Sequence, residues 1–338
     1  MEPVLKLEDW SVSFDTAEGT VEAVRQVSLE LFPGEVLAIV GESGCGKSVL
    51  CQSILKILPR TAKTSGRVLA DSADISGYSE KEMKKLRGPF FAMLFQDPMT
   101  TLNPTIPIGK QIIEAIVKHH KVSQQEAKKR AVATLDLVGI DDPAHRLALQ
   151  PHFFSGGMRQ RCVLAIAMAL EPKVLLADEP TTALDVTVQA RTLDLLKEVK
   201  EKKGLSIIFI SHDLGVVARI ADRVAVMYAG KIVEIGKAEE IFYDPRHPYT
   251  WGLLASMPLV AIETGVFGGI AGLPPTLLNP PPGDAFAYRN QYALKIDYEE
   301  MPPMFKVSDT HYAATWLLDP RAPQVEVPIK LKRRESSV

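Results

Sequence analysis

Short, mostly apolar runs alternate with amphipathic stretches along the first two thirds of the chain. Four of these runs have the length and composition of buried strands: 35–40 (EVLAIV), 90–96 (FFAMLFQ), 174–178 (VLLAD) and 205–211 (LSIIFIS). Apolar residues with helical spacing follow the first run, through Leu50, Ile54 and Leu58, and stop at Pro59. Strands that alternate with helices in this way predict an α/β fold.

The middle of the chain has a different pattern, which predicts amphipathic helices over residues 99–165. Ser123 and Glu126 form an S-x-x-E capping box, which predicts the start of a helix that runs to about Val138. Strand-like alternation returns at 223–236 and predicts two further strands.

From Asp244 onward the chain becomes rich in proline, most plainly in GLPPTLLNPPPGD, and we place a domain boundary there. The length of 338 residues favours more than one structural unit.

The composition is that of a globular protein, and the formal net charge of −2 gives no support for nucleic-acid binding by bulk electrostatics. Three sparse cysteines do not suggest disulfides, so we expect a reducing compartment.

A phosphate-binding motif follows the first apolar run. The sequence GESGCGKS at 41–48 matches G-x-x-x-x-G-K-[ST] between a predicted strand and a predicted helix. We expect its backbone N–H groups to bind phosphate, Lys47 to reach the β and γ phosphates, and Ser48 to bind Mg²⁺. A glycine-rich turn that matches by chance is the alternative. The expected nucleotide contacts are Gly41, Glu42, Ser43, Gly44, Cys45, Gly46, Lys47, Ser48 and Val49.

Polar side chains end three of the other apolar runs. Asp178 is expected to bind Mg²⁺ directly or from the second coordination shell of the ion. Glu179, next to it, is suited to deprotonate an attacking water. Gln96 could ligate Mg²⁺ or the water, and His212 could hydrogen-bond the γ-phosphate. A lone glutamine or histidine is more often structural, but strand ends at the carboxyl edge of a parallel sheet are where ligands bind.

In order along the chain, GESGCGKS, Gln96, FSGGM, VLLADEP, ALD (183–185) and His212 resemble the nucleotide-binding subunit of an ATP-binding-cassette (ABC) transporter. The resemblance implies a P-loop NTPase fold: a RecA-like core with an antiparallel β subdomain (1–98 and 165–243), an inserted helical subdomain (99–164) and a C-terminal extension (244–338). By the same resemblance, Phe14 stacks on adenine, Asp185 belongs to the nucleotide site, and ATP with Mg²⁺ is the expected ligand.

The resemblance also implies a role for a second glycine-rich stretch, FSGGM at 154–158. In the family, two such subunits pack head to tail, so Ser155, Gly156 and Gly157 are expected to touch the γ-phosphate held by the partner. Met158 stands where the common family form has Gln, and Met cannot supply amide hydrogen bonds.

Longer stretches of the sequence indicate which branch of the ABC transporter family the chain resembles. QDPMTTLNP (96–104), HDLGVVA (212–218) and DPRHPYTWGLL (244–254) resemble oligopeptide and dipeptide importers, while nickel importers share much of the pattern. Many relatives carry four cysteines in the tail that look like ligands of an iron–sulfur cluster. This chain has, instead, Asp284, Asn290, Asp297 and Thr315. Since these groups are poor substitutes for thiolates, we expect no cluster and interpret the tail as a packed appendage.

The resemblance therefore implies an ATPase subunit of a multi-subunit importer, peripheral at the cytoplasmic face of the cell membrane. Its expected partners are a second ABC ATPase subunit, in a heterodimer, two integral membrane permease subunits and, indirectly, an extracellular peptide-binding protein, with no nucleic acid. One alternative is a soluble cassette ATPase that acts on ribosomes or nucleic acid. Another is a P-loop kinase, which would have no use for the Ser-Gly-Gly stretch. The sequence does not identify the cargo.

Overall fold

The computed structural model describes residues 2–95, 101–182, 185–257, 260 and 269–329. The chain divides into two compact units, each assembled from segments distant in sequence. The first comprises Met1–Lys6, Glu30–Val36 and Leu69–Ile210, and the second comprises Leu7–Leu29, Leu37–Val68 and Ser211–Val338. Among the described residues, no helix has both the length and the apolar character needed to cross a lipid bilayer.

The first unit is organised around parallel strands. Val174–Asp178 lies between Phe91–Leu94 and Ser206–Ser211, with Val174 opposite both Phe91 and Ser206. Every residue of Val174–Asp178 and of Ser206–Ser211 is buried, which explains why these strands are continuous apolar runs instead of alternating ones. The buried strands predicted at 174–178 and 205–211 are therefore confirmed, while the strand predicted at 90–96 is shorter and spans Phe91–Leu94, with Phe95 exposed after it.

The rest of the first unit is mainly helical. In the part of the chain that the structure describes, its helices are Glu80–Leu86, Ile108–His120, Gln124–Leu137, Pro143–Arg146, Gly156–Met168 and Val186–Lys203, with a 3₁₀ turn at Pro151–Phe153 and a short strand at Ala73–Asp74. Ile112 and Ile116 lie on the buried face of one helix and pack near the helix that buries Ala131 and Leu135. The Ser123 hydroxyl accepts a hydrogen bond from the Glu126 N–H, so the predicted N-cap is confirmed.

The second unit contains most of a sheet in which Gly19–Leu31, Leu5–Thr16 and Ala62–Ala70 are consecutive neighbours. A second set of strands begins with Val36–Val40, which pairs in parallel with Arg223–Tyr228. Antiparallel pairings then add Lys231–Lys237, Tyr312–Ala313 and Phe305–Lys306. The two strands predicted within 223–236 are confirmed, and the turn between them, Ala229-Gly230, has positive φ at both residues.

Among the described residues, the helices of the second unit are Lys47–Ile54, Leu214–Ile220, Ala238–Tyr243 and Pro248–Ala255, with 3₁₀ turns at Ala287–Arg289, Lys295–Tyr298 and Trp316–Leu318. The first ends earlier than the apolar spacing predicts. Lys56 adopts a left-handed φ of 51°, its N–H donates to the Ser53 carbonyl, and the Ile57 N–H donates to the Gln52 carbonyl. These are the two hydrogen bonds of a Schellman cap, which terminates the helix before Pro59.

The C-terminal residues contribute to the core of the second unit. Tyr249 and Phe286 contact Tyr228, with ring centroids 4.6 and 5.2 Å from that of Tyr228. Trp251 and Ile329 are buried in the same cluster. Because Tyr228 ends a central strand, the residues beyond 244 complete the core that supports this strand.

Candidate functional site

The glycine-rich loop at 41–48 has a shape that larger residues could not adopt. Gly41 and Gly46 have φ of 153° and 107°. A Cβ on Gly41 would lie 2.1 Å from the Met227 carbonyl oxygen, and one on Gly46 would lie 2.2 Å from the Ala23 carbonyl oxygen. The loop therefore needs glycine at both positions, and it leads directly into the helix Lys47–Ile54, whose N-cap Gly46 has no side chain to occupy the helix N-terminus.

Lys47 is held inside this loop. Its side chain is buried, at 5% exposure, and Nζ donates to the carbonyl oxygens of Gly41 and Glu42, both at 2.8 Å. A buried ammonium group fixed by two carbonyls presents a positive charge to the anion-binding loop. This arrangement suits the binding of a phosphate group. The ammonium could give up its hydrogen bonds to the two carbonyls and donate to phosphate oxygens instead.

Phe14 lies near the end of the strand Leu5–Thr16 and is half-buried. Trp10 and Val12, on the same face of the strand, are both in the core. Phe14 is therefore less buried than the core position that composition alone would give it. Stacking of its ring on adenine stays a prediction.

Asp178 is the last residue of the central strand of the first unit and is buried, at 3% exposure. Glu179 follows with a left-handed φ of 48°, and its N–H donates to the Ile210 carbonyl at 3.1 Å. Its carboxylate accepts a 2.9 Å hydrogen bond from the Thr182 hydroxyl. The two carboxylates are thus placed by a strand end and a strained turn, the kind of position at which functional residues cluster.

The remaining predicted site residues have mixed outcomes. His212 is exposed, directly after the strand Ser206–Ser211. Asp185 caps the helix Val186–Lys203, where Oδ1 accepts from the N–H groups of Thr187 and Val188. Gln96 and residues 183–184 lie outside the described residues.

The second glycine-rich stretch begins the helix Gly156–Met168. Ser155 is the N-cap of Gly156–Met168 and accepts a 3.4 Å hydrogen bond from the Met158 N–H. Ser155 and Gly156 are exposed, so a group outside the chain can reach this helix N-terminus. The Met158 sulfur accepts a 3.4 Å contact from the Arg146 guanidinium, which fixes the residue that replaces glutamine.

Gln160 was missed by sequence analysis. This buried side chain donates from Nε2 to the Pro180 carbonyl at 2.6 Å and accepts at Oε1 from the Thr192 hydroxyl at 3.3 Å. It thereby ties the helix that follows Ser155 to the turn that follows Glu179. Gln160 stands between Arg159 and Arg161, so nothing in the sequence marks it as buried, and sequence spacing alone could not identify its partners.

The four tail positions Asp284, Asn290, Asp297 and Thr315 are all buried. Each uses a side-chain oxygen to accept a backbone N–H, from Phe286, Tyr292, Leu294 and Leu317 respectively. These are hard oxygen donors already engaged in turn capping, and they do not fit the thiolate ligation of an iron–sulfur cluster. The expectation of no cluster stays a prediction with this physical basis.

The charge of Asp297 influences the ionisation of Asp284. The pKa of Asp284 is raised to about 7, chiefly by burial and also by the charge of Asp297, while a hydrogen bond from the Phe286 N–H acts to lower it. Burial also raises the pKa of Asp297. The oxygen atoms that replace thiolates therefore make the stability of this region dependent on pH.

Comparison with known proteins identifies the family. Residues 24–182 match the model of the ABC transporter family, and residues 233–296 match that of the oligopeptide/dipeptide transporter C-terminal region. The oligopeptide transport ATP-binding protein OppD of Bacillus subtilis (strain 168) is 58% identical over 337 residues, covering 98% of this chain and 94% of the relative. The chain belongs to the ABC transporter family. The resemblance found in the sequence, to this family and to its oligopeptide/dipeptide branch, is confirmed.

A second relative from this branch of the ABC family is the dipeptide transport ATP-binding protein DppD of Lactococcus lactis subsp. cremoris (strain MG1363). It is 53% identical over 326 residues, covering 96% of this chain and 93% of the relative. These two relatives therefore match nearly the whole chain.

Solved ABC cassettes have the same fold. CbiO1 from Clostridium perfringens aligns with a TM-score of 0.63 at 33% identity, over 72% of this chain and 91% of that one. The cassette MJ0796, solved as a dimer in a post-hydrolysis state bound to ADP and Pi, aligns with a TM-score of 0.61 at 26% identity, over 69% and 98% of the two chains. The predicted P-loop NTPase fold is confirmed, and the chain is an ABC-type ATPase.

Proposed function

We propose that this chain is the ATP-hydrolysing subunit of a multi-subunit importer that takes up oligopeptides or dipeptides through separate membrane subunits. The observation that carries the proposal is the match of residues 233–296 to the C-terminal region of oligopeptide/dipeptide transporters, on a chain that also holds the glycine loop around Lys47. ATP binding closes two ATPase subunits, hydrolysis reopens them, and this motion is passed to the permease subunits.

Several residue roles belong to this proposal. The loop 41–48 binds the phosphates of ATP, Glu179 deprotonates the attacking water, and His212 contacts the γ-phosphate. Ser48, Gln96 and Asp178 carry hard oxygen donors of the kind that Mg²⁺ prefers, and their joint ligation of Mg²⁺ stays a prediction. The same holds for the heterodimer, for the position at the cytoplasmic membrane face and for the domain boundaries near 98, 164 and 243.

The test is purification of the tagged chain from detergent-solubilised membranes, followed by identification of the co-purified proteins and reconstitution of the complex in vesicles. Two permeases, a second ATPase and ATP-driven uptake of labelled peptides are the expected results. Lys47→Ala is the matched control, because loss of the buried ammonium should abolish both ATP hydrolysis and uptake. Uptake of Ni²⁺ in place of peptides would favour the nickel-importer alternative, and recovery with ribosomes instead of membrane proteins would contradict the proposal.

A further inference from the structure

Glu42 is the second residue of the glycine loop. Residues from the C-terminal part of the chain contact both its backbone N–H and its carboxylate. Its backbone N–H donates to the Tyr249 hydroxyl at 2.7 Å. Its carboxylate accepts from both terminal nitrogens of the Arg289 guanidinium, at 2.5 and 2.9 Å. Because Lys47 donates to its carbonyl, Glu42 links the lysine of the loop to two residues that lie far along the chain.

The Arg289 side chain is buried and makes hydrogen bonds to other groups besides Glu42. Its side chain is 5% exposed, and the guanidinium also donates to the carbonyl oxygens of Ala271, at 2.9 Å, and Gly272, at 3.1 Å. The hydrogen bond with Glu42 is the main cause that raises the pKa of Arg289 above its ordinary value. A two-point contact between a guanidinium and a carboxylate fixes orientation as well as charge.

The charge of Glu42 is unfavourable at this position unless it is neutralised. The loop supplies backbone N–H groups and the Lys47 ammonium, which suit a polyphosphate. A carboxylate on the same loop repels that ligand, and its repulsion is poorly screened where the groups are partly buried. The bidentate contact with Arg289 neutralises this charge and holds the carboxylate in an ion pair.

We propose that Arg289 is a positioning residue for ATP binding, which neutralises and holds Glu42 so that the glycine loop accepts the phosphates of ATP bound to the same chain. The C-terminal region is thus a working part of the nucleotide site as well as a packed appendage. This inference rests on the proposed function, namely that loop 41–48 binds ATP.

The test measures equilibrium binding of MgATP, MgADP and adenosine to the full chain and its variants. Arg289→Met leaves the Glu42 carboxylate unpaired and should weaken MgATP binding on the order of tenfold. The loss should be smaller for MgADP and close to none for adenosine, because it scales with ligand charge. Adding Glu42→Gln to Arg289→Met should restore MgATP affinity to within about threefold of the parent.

The rescue distinguishes charge neutralisation from mere anchoring of the C-terminal region. If Arg289 only anchors the turn at Ala271 and Gly272, the double variant remains as weak as Arg289→Met, and the proposal is wrong. Unchanged MgATP affinity in Arg289→Met would also overturn it. Arg321→Met is the matched control, because it removes the same charge from an 84% exposed side chain that pairs with Asp319, and it should bind MgATP normally.

Two further variants keep the test decisive. If Arg289→Met does not fold, Glu42→Gln alone replaces it, since Arg289 keeps its carbonyl contacts; MgATP should then bind at least as tightly as to the parent, and a tenfold loss would contradict the proposal. Lys47→Ala separates this inference from the proposed function. If Lys47→Ala binds MgATP like the parent, loop 41–48 is not the phosphate site; if it loses binding while Arg289→Met does not, only the inference fails.

Discussion

The carboxylate of Glu179 accepts a 2.9 Å hydrogen bond from the hydroxyl of Thr182, three residues later in the chain. Glu179 also occupies the left-handed region, at a φ of 48°, which costs a non-glycine residue free energy. Surrounding contacts, including the bond from its N–H to the Ile210 carbonyl, hold it there. Strain of this kind at the end of a buried strand is a physical reason to expect a functional role.

Replacement of Glu179 by Gln keeps the size of the side chain and removes its ability to accept a proton. We expect ATP turnover to fall by about 10²–10⁴-fold, because that is the usual contribution of a general base. MgATP binding should persist, so the complex should accumulate in a closed, ATP-bound form. Steady-state phosphate release and the amount of trapped nucleotide measure the two effects.

Glu171→Gln is the matched control for this substitution. Glu171 has a similar φ of 49°, and its carboxylate pairs with Lys203 at 2.8 Å. The control removes a carboxylate from an equally strained backbone, away from the strand end of Asp178, so turnover should be unchanged. Near-normal turnover in Glu179→Gln would rule out the role of general base.

The buried carboxyl of Asp284 predicts a pH dependence of stability. Its pKa is raised to about 7 in the folded chain, so the folded state keeps a proton that the unfolded state releases near its ordinary value of 3.8. The contribution of Asp284 to the free energy of unfolding should therefore fall as pH rises from about 4 to 7 and level off above that. Asp284→Asn keeps the oxygen that caps Phe286 and should remove on the order of 2 kcal/mol of this decline between pH 5 and 8.

Chemical denaturation of the parent chain and of Asp284→Asn at pH 5 and pH 8 measures the difference. Asp319→Asn is the control, because hydrogen bonds from Arg321 lower the pKa of Asp319 to about 2, and this group does not titrate between pH 5 and 8. If the parent chain and Asp284→Asn change in stability by the same amount from pH 5 to 8, Asp284 is charged in the folded state throughout, and the prediction is wrong.

The oxygen donors at the four tail positions predict that the protein contains no iron–sulfur cluster. Purified under anaerobic conditions, the protein should be colourless and hold no stoichiometric iron. Incubation with iron and sulfide under reducing conditions controls for loss during purification, and it should leave the iron content unchanged. A brown protein with charge-transfer absorption would show that residues other than Asp284, Asn290, Asp297 and Thr315 supply the ligands.

Local chemistry made much of the fold and of the candidate site predictable. The glycine loop is determined by close backbone approaches at Gly41 and Gly46, and the buried strands by their continuous apolar runs. The contacts of Arg289 with Glu42, 247 residues away, leave no comparable trace in the sequence. A buried arginine and an exposed one such as Arg321 look alike in a sequence, because only the tertiary fold decides which carboxylate each one meets.

The N-cap Ser155 provides the last prediction, which concerns a nucleotide site that this chain does not build alone. Ser155 and Gly156 are exposed at the start of a helix, where N–H groups can bind a phosphate presented by another subunit. Ser155→Arg places bulk and a long charged side chain at this position. We expect it to prevent closure over the γ-phosphate held by the partner subunit and to reduce hydrolysis in the assembled complex, first at the site formed with the partner's phosphate loop.

ATP held by the chain's own Lys47 should still bind in the isolated subunit, because Ser155→Arg leaves the loop 41–48 unchanged. The measurement compares MgATP affinity of the isolated variant with site-resolved hydrolysis in the assembled transporter. Ser155→Ala is the control, since it removes the cap to the Met158 N–H without adding bulk, at a cost of about 1 kcal/mol of helix stability. If Ser155→Arg abolishes ATP binding by the lone, folded subunit, the Ser-Gly-Gly stretch serves its own phosphate loop, and the head-to-tail arrangement is wrong.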